Sequence, residues 1–302
     1  MTTTDLQRPA TAPAFQQISS GRKAKNLTAT VLVGAAFVIA VAPLVWLLWT
    51  VLEKGFVHIL NADWWQKSMA GLTSRQPGGG VYHAIYGTLI QGLICAVIAV
   101  PIAIMVAIYL VEYGRNGRLA KAITFTVDIL SGVPSIVAAL FIYALWVTTF
   151  GLPRSGFAVS LALVMLMIPV VVRTTEELLK IVPDELREAS YALGIPKWKT
   201  IAKIVVPTAL SGIITGIMLA VARVMGETAP VLILVGYAQF INYDPFGGNM
   251  ASLPLFMNTE RLSINDIGEA RVWGAAVTLI LIITVINLLA TVISRLTAVK
   301  TK

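Results

Sequence analysis

The chain has 302 residues, of which 57% are hydrophobic and only 13% charged, with a net charge of +8 and a mean hydropathy of +0.81. This balance excludes a soluble enzyme or a nucleic-acid-binding domain, because the apolar residues gather in blocks of about 20 or more, the length a helix needs to cross about 30 Å of hydrocarbon. The blocks fall near 27–52, 82–111, 122–150, 156–174, 208–236 and 271–294, and they predict an all-α integral membrane protein with six transmembrane helices. Strands of a transmembrane barrel would alternate apolar and polar residues, whereas residues 161–172 and 279–290 are apolar almost throughout.

Residues 1–26 are polar, contain Pro9 and Pro13, and are expected to form a disordered tail. Arg22, Lys23 and Lys25 lie there. Arg115, Arg118 and Lys121 follow the second block; Arg187, Lys197, Lys199 and Lys203 lie between the fourth and fifth; Arg295, Lys300 and Lys302 close the chain. The alternate loops hold fewer basic residues. An excess of Lys and Arg in short loops marks the cytoplasmic side, so both termini and the 175–207 segment are expected to be cytoplasmic. The positive charge then needs no nucleic-acid partner. The first block is a plain membrane anchor, and an external loop follows it, ending in Pro77-Gly78-Gly79-Gly80. His58 and His83 are isolated, make a poor metal site and read as solvated or interfacial. Cys95, the single cysteine, reads as a packing residue.

Pro101, Pro134 and Pro169 lie within the second, third and fourth blocks and predict kinked membrane helices. Asp128 lies in the third block. An acid at the centre of a membrane helix costs about 2.5–3.5 kcal/mol, so Asp128 should face protein or a cavity, in a helix-bonding or a substrate role. Arg173, at the end of the fourth block, fits either snorkelling to the headgroups or a pathway role. In the fifth block Arg223 and Glu227 stand four residues apart, predicting one helical face in an apolar segment. From Pro207, Arg223 is about 24 Å along a helix, too deep for easy snorkelling. The pair fits a local ion pair or a polar pathway in which Arg223 attracts an anion and Glu227 holds its side chain. Gly212 and Gly216 give the same helix a small face for close contact. The loop from Tyr237 to Ala270, aromatic and glycine-rich, fits either a protein-docking surface or the membrane surface.

The one long charged segment enclosed by apolar sequence is residues 176–207. Pro183, Asp184 and Glu185 suit the start of a helix, whose positive end favours acids. Leu186, Ala189 and Leu193 give it a narrow apolar stripe, and Gly194 suits the left-handed residue that closes a helix. Pro196 opens a second helix expected over 197–206, so the segment reads as an elbow. Thr174 and Glu177 have capping-box spacing and predict a helix restart just before it. No phosphate-cradling G-x-x-x-x-G-K-[ST] motif is present, so ATP hydrolysis is not expected of this chain, and no catalytic residue is assigned.

Glu188-Ala189-Ser190, three residues, Gly194, nine residues and Ile204-Val205-Val206-Pro207 resemble the EAA loop of bacterial ABC importer permeases. Ser190 stands where that pattern has a second alanine, and Val206 where it has leucine. The resemblance covers roughly residues 80 to 295 and implies a type I importer permease, the MetI-like core, with an added N-terminal span. Arg173-Thr174-Thr175-Glu176-Glu177 and Arg223-Val224-Met225-Gly226-Glu227-Thr228-Ala229-Pro230 resemble the phosphate-specific transport permeases, and the GETAP ending resembles their PstA branch. The resemblance implies a tail (1–26), an N-terminal helix and external loop (27–80), a permease domain (81–295) and a second tail (296–302). It implies a sister permease (PstC-like), a cytoplasmic ATPase dimer (PstB-like) that uses ATP and Mg, and an external phosphate-binding protein (PstS-like). This chain would bind no cofactor and no metal. Glu188, Ala189, Ser190 and Gly194 would couple to the ATPase, and Arg173, Arg223 and Glu227 would carry transport roles, with Asp128 nearby. A permease for molybdate or sulfate has the same architecture, and a secondary anion carrier using Asp128, Glu227 and Arg223 is the reading from a different class.

Overall fold

The computed structural model describes residues 20–114, 117–263 and 265–297; among them it contains helices and no strand. The chain divides into two units, residues 1–50 and 51–302. Most of α1 (Ser20–Ile59) lies in the first, and Pro43 does not interrupt it. The helix begins inside the segment predicted to be a disordered tail; the rest of that tail, residues 1–19, lies outside the described residues, as do residues 298–302 of the C-terminal one.

The second unit starts with the last turns of α1 and the short α2 (Ala62–Gln66), which Asn61 caps by accepting the Asp63 N–H at 3.0 Å. The long α3 (Tyr82–Ile108) ends in a wide π turn, Tyr109–Gly114. Next come α4 (Arg118–Gly132), α5 (Ser135–Ile142) with a second π segment to Thr149, α6 (Gly156–Ile181), α7 (Asp184–Ala192) and α8 (Lys197–Thr200). A third π segment, Ile201–Val205, carries α8 into α9 (Val206–Met225); α10 (Ala229–Leu234), α11 (Leu253–Arg261) and α12 (Asp266–Thr297) complete the chain.

Among the described residues, five helical stretches are long and apolar enough to cross a membrane, and a sixth is counted if α4 and α5 form one bent span. The third block is therefore not a kinked rod. The stretches Arg118–Gly132 and Ser135–Thr149 meet at 107°. Val133 is extended (ψ 124°), the conformation favoured before a proline because it avoids the ring, and Pro134 has no N–H with which to continue the helix. Pro101 and Pro169 behave differently, since α3 and α6 run through both. The fifth block also differs: its helix starts at Lys197, well before 208, and ends at Met225 rather than 236.

The core of the second unit is the pairing of α3 with α6, to which α9, α4, α5 and α10 add. Small residues set its spacing: Cys95, Ala99 and Ala103 of α3 are fully buried with Ala158, Ala162 and Met167 of α6, and the Cys95 Sγ lies 3.6 Å from the Met167 Sδ. Gly212 and Gly216 let α9 approach α6, since a Cβ at either would press on Leu178 or Thr174. Gly87 of α3 lies against the Ala251 carbonyl, which a Cβ would strike. α11 and α12 pack together beside the start of α3. The 237–270 loop is thus largely folded into the unit: Met250, Leu253 and Phe256 are buried. His83 is buried too, against the prediction of a solvated ring; its Nε2 lies 3.2 Å from the Tyr237 hydroxyl, and Phe256 lies edge-on to it. Burial, and then the charge of Glu260, raise the Tyr237 phenol well above its ordinary value, with Arg271 opposing.

Candidate functional site

Among the described residues, three groups of polar side chains hold the residues singled out from the sequence, and the chain's own chemistry explains where each sits. The first is the elbow. α6 runs unbroken to Ile181, so the predicted restart at Thr174 is not made: its hydroxyl donates back to the Val170 carbonyl at 2.9 Å instead of capping a new helix. Pro183 is the residue before α7, and Asp184 and Glu185 form the first turn. Gly194 closes the turn with φ +73°, a left-handed conformation that costs a Cβ-bearing residue about 1–2 kcal/mol. The second limb then continues through α8 and the π segment into α9, so it is the foot of a membrane helix rather than a separate short helix ending at Val206.

Ser190 and Thr200 join the two limbs through buried hydroxyls 2.7 Å apart. The departure from alanine at Ser190 therefore supplies a bond that alanine cannot make. Glu188 and Ala189 face outward, as do Leu186, Tyr191, Leu193 (79% exposed) and Trp198 (63% exposed). The stripe predicted from Leu186, Ala189 and Leu193 thus lies on the outside of the unit, where it leaves an apolar surface uncovered.

What holds the elbow was missed in the sequence. Arg187 donates through Nε to the Glu112 carboxylate at 3.0 Å, and its terminal nitrogens reach the Val182 carbonyl at 2.6 Å, the Leu179 carbonyl at 3.0 Å and the Asp184 carboxylate at 3.0 Å. Glu112 is 5% exposed and Arg187 12%. Lys197 adds a bond from its Nζ to the Glu112 carbonyl and lies 4.8 Å from the centre of the Tyr113 ring. One acid in the π turn after α3 thereby binds both limbs. The signal available was Glu112 itself, an acid at the end of an apolar block.

The second group joins α4 to α6. Asp128 and Arg173 form an ion pair, and Arg173 also donates to Glu176 at 2.8 Å, which in turn accepts from Lys180 at 2.7 Å. Two of the sequence candidates, Asp128 and Arg173, are thus brought together. The Asp128 side chain remains more than half exposed, so this chain alone covers its charge only in part.

The third group sits at the end of α9. The helix closes at Gly226, whose N–H bonds to the Arg223 carbonyl at 3.1 Å, and Glu227 lies in the break before α10. Arg223 and Glu227 therefore do not share a helical face, and among the described residues they form no ion pair. The cause is local: Gly226 and the proline at the start of α10, Pro230, both favour ending a helix here. Arg223 is exposed and has no side-chain partner among the described residues. Glu227 instead lines a small cavity with Gln91 and Ser252. Among the described residues, no cluster of three or more His, Cys, Asp or Glu side chains could hold a metal.

A family described as "Binding-protein-dependent transport system inner membrane component" matches residues 99–299, which include the bent α4–α5 pair, the elbow and the α9 break. The chain belongs to this permease family. It is a multi-pass membrane protein and a transport subunit rather than an enzyme, and a permease of this class works with a partner permease, an ATPase and a binding protein. This permease is 56% identical over 288 residues to the phosphate transport system permease protein PstA 1 of Mycobacterium tuberculosis (strain CDC 1551 / Oshkosh), covering 95% of this chain and 94% of that protein. It is 38% identical over 299 residues to the phosphate transport system permease protein PstA of Yersinia pestis, covering 97% and 98%. Among solved structures it resembles the inward-facing MetNI methionine ABC transporter, with TM-score 0.57, 18% identity and coverage of 73% of this chain and 95% of that one. A bacterial ABC transporter involved in the import of alginate matches with TM-score 0.60, 15% identity and coverage of 93% and 100%. These likenesses to known structures support the MetI-like permease fold.

Proposed function

We propose that the permease is a PstA-type subunit of an ATP-driven phosphate importer of the bacterial inner membrane, its core spanning residues 81–295 and both termini cytoplasmic. The observation that carries the substrate reading is Arg223, an arginine without a side-chain partner among the described residues at the end of an apolar helix, in a chain whose relatives at 56% and 38% identity are named phosphate transport permeases. A planar guanidinium offers paired donors to two oxygens of an oxyanion, and a site that must release its cargo holds it weakly. Arg173 and Asp128 are a second polar step on the same route, and Glu227 a third.

A PstC-like sister chain completes the pathway, and a PstS-like binding protein delivers phosphate from outside. The exposed apolar side chains of the elbow, Leu186, Tyr191, Leu193 and Trp198, seat in a PstB-like ATPase dimer that uses ATP and Mg. Glu188, Ala189, Ser190 and Gly194 set the shape of that contact, and closure of the ATPase rocks α6 and α9 as rigid bodies. The test is phosphate uptake by vesicles holding the permease with its copurified partners. Uptake is expected only with ATP, unlabelled phosphate should compete where sulfate and molybdate do not, and Arg223→Gln should abolish uptake while the complex still assembles. Uptake that survives Arg223→Gln, or that sulfate or molybdate displaces better than phosphate, would refute the reading.

A further inference from the structure

Three polar groups meet where α3, the α9–α10 break and the start of α11 converge, and two of them are fully buried with an atom that has no partner among the described residues. Gln91 is 2% exposed and its side-chain Nε2 donates to nothing among the described residues; Ser252 is 1% exposed and its Oγ is equally unpaired among them. Buried donors are nearly always satisfied, because an unmet one keeps the full cost of losing water. Ser252 is the more telling of the two. It occupies the capping position of α11, where a serine ordinarily accepts a backbone N–H, yet its side chain makes no such bond. The Thr88 hydroxyl accepts the Leu253 N–H at 2.8 Å, so the first donor of α11 is met from α3, and Pro254 at the next position has no N–H to offer the Ser252 hydroxyl. Both orphaned groups line the same cavity as Glu227.

Resting on the phosphate reading above, we propose that Gln91, Ser252 and Glu227 form a selectivity site for a protonated tetrahedral oxyanion. Gln91 and Ser252 donate to its bare oxygens, and Glu227 accepts from its hydroxyl. Phosphate at neutral pH retains at least one proton and can satisfy all three groups. Sulfate carries none, so it leaves the carboxylate facing an oxygen of like charge. A site built to bond a hydroxyl rejects an analogue lacking it far more strongly than a shape filter does.

In this structure the cavity gives a water molecule's centre only about 10 Å³ of room, enough for one water and too little for the anion. The walls must therefore separate before an anion can enter. The wall on one side is the contact of α3 with α9, where a Cβ at Gly92 would lie 3.2 Å from the Met225 side chain. The helix break at Gly226 lies directly after that wall and lets it move without α10.

The experiment compares the full complex carrying the wild-type chain, Gln91→Met, Ser252→Ala or Glu227→Gln, reading the thermal midpoint together with uptake of labelled phosphate and its inhibition by sulfate. Methionine keeps the length of glutamine and removes the orphaned donor. Gln91→Met is expected to melt at or above the wild-type temperature while phosphate uptake per complex falls at least tenfold, with Ser252→Ala changing in the same direction. Glu227→Gln should render phosphate uptake inhibitable by sulfate. If Gln91→Met yields little folded complex, Ser252→Ala, which removes a single oxygen, carries the decision alone. Uptake within twofold of wild type in both Gln91→Met and Ser252→Ala would overturn the proposal, as would unchanged sulfate exclusion in Glu227→Gln. A wild-type complex that moves ATP-dependent cargo but not phosphate would instead refute the substrate reading beneath it.

Discussion

Replacing Arg187 with methionine should loosen the elbow from the helices that it drives. The side chain is nearly buried, bonded to Glu112 at 3.0 Å and to the carbonyls of Leu179 and Val182 at the end of α6. Removing one partner of a buried ion pair costs about 3–5 kcal/mol, because the remaining charge is left uncompensated. Here the pair borders a cleft lined by Lys180, Asp184 and Lys197, and Lys197 already binds the Glu112 backbone, so about 3 kcal/mol is expected for Arg187→Met. Glu112→Leu should cost a similar amount, since it leaves the guanidinium without its acid. The double variant has no orphaned charge and should lose only about 1–2 kcal/mol more than either single change, giving a coupling energy of at least about 1 kcal/mol between residues 75 positions apart. Unfolding in mixed micelles with increasing SDS measures the cycle. The same variants in vesicles should hydrolyse ATP while transport falls, because α7 no longer pulls on α3 and α6 together. A coupling energy below about 0.5 kcal/mol would show that the two side chains act independently and would refute the clamp.

Gly194→Val forces a β-branched residue into a left-handed turn at φ +73°, at a cost of about 2 kcal/mol, and should reduce the amount of ATPase that copurifies with the permease. Undiminished copurification with normal coupling would remove the elbow's geometry from the mechanism. Ser190→Ala restores the alanine of the EAA pattern but strands the buried Thr200 hydroxyl, so it should destabilise by about 1 kcal/mol rather than stabilise, as read from the same unfolding titration.

The fold class was legible because hydrocarbon imposes one rule on every span: about 20 apolar residues with all backbone groups bonded internally. Gly194 was legible for a similar reason, since a left-handed closing residue leaves few choices. Two errors share one origin. The 122–150 block was read as one span kinked at Pro134 and the Arg223–Glu227 spacing as continuous helix, whereas the backbone turns fully at Val133–Pro134 and leaves the helix at Gly226, however apolar their neighbours are. Periodicity placed Arg223 and Glu227 on one face only while the helix was assumed to continue. The partners of the elbow were hidden for another reason: Glu112 and Arg187 are 75 positions apart, and nothing local in either stretch specifies the other. Gln91 and Ser252 gave no signal at all, because an unpaired buried donor is defined only by what the fold fails to bring near it.

The two arginines assigned to transport differ in a way that orders them along a route. Arg173 is neutralised by Asp128 and shares Glu176 with Lys180, so its net field is small even though its side chain is a third exposed. Arg223 has no such partner among the described residues and lies at the C-terminal end of α9, where the partial negative charge of the helix offsets only part of its charge. On the proposed phosphate reading, an anion entering the bundle would be drawn first to Arg223 and would reach Arg173 only when the ion pair with Asp128 opens. That pair bridges α4 and α6, and α4 stands on the far side of the 107° bend from α5. Any movement that separates α4 from α6 both uncovers the Arg173 charge and widens the space beside it. In the proposed pathway attraction and opening would then be one event, an anion being given a second positive site only in the conformation that also gives it room.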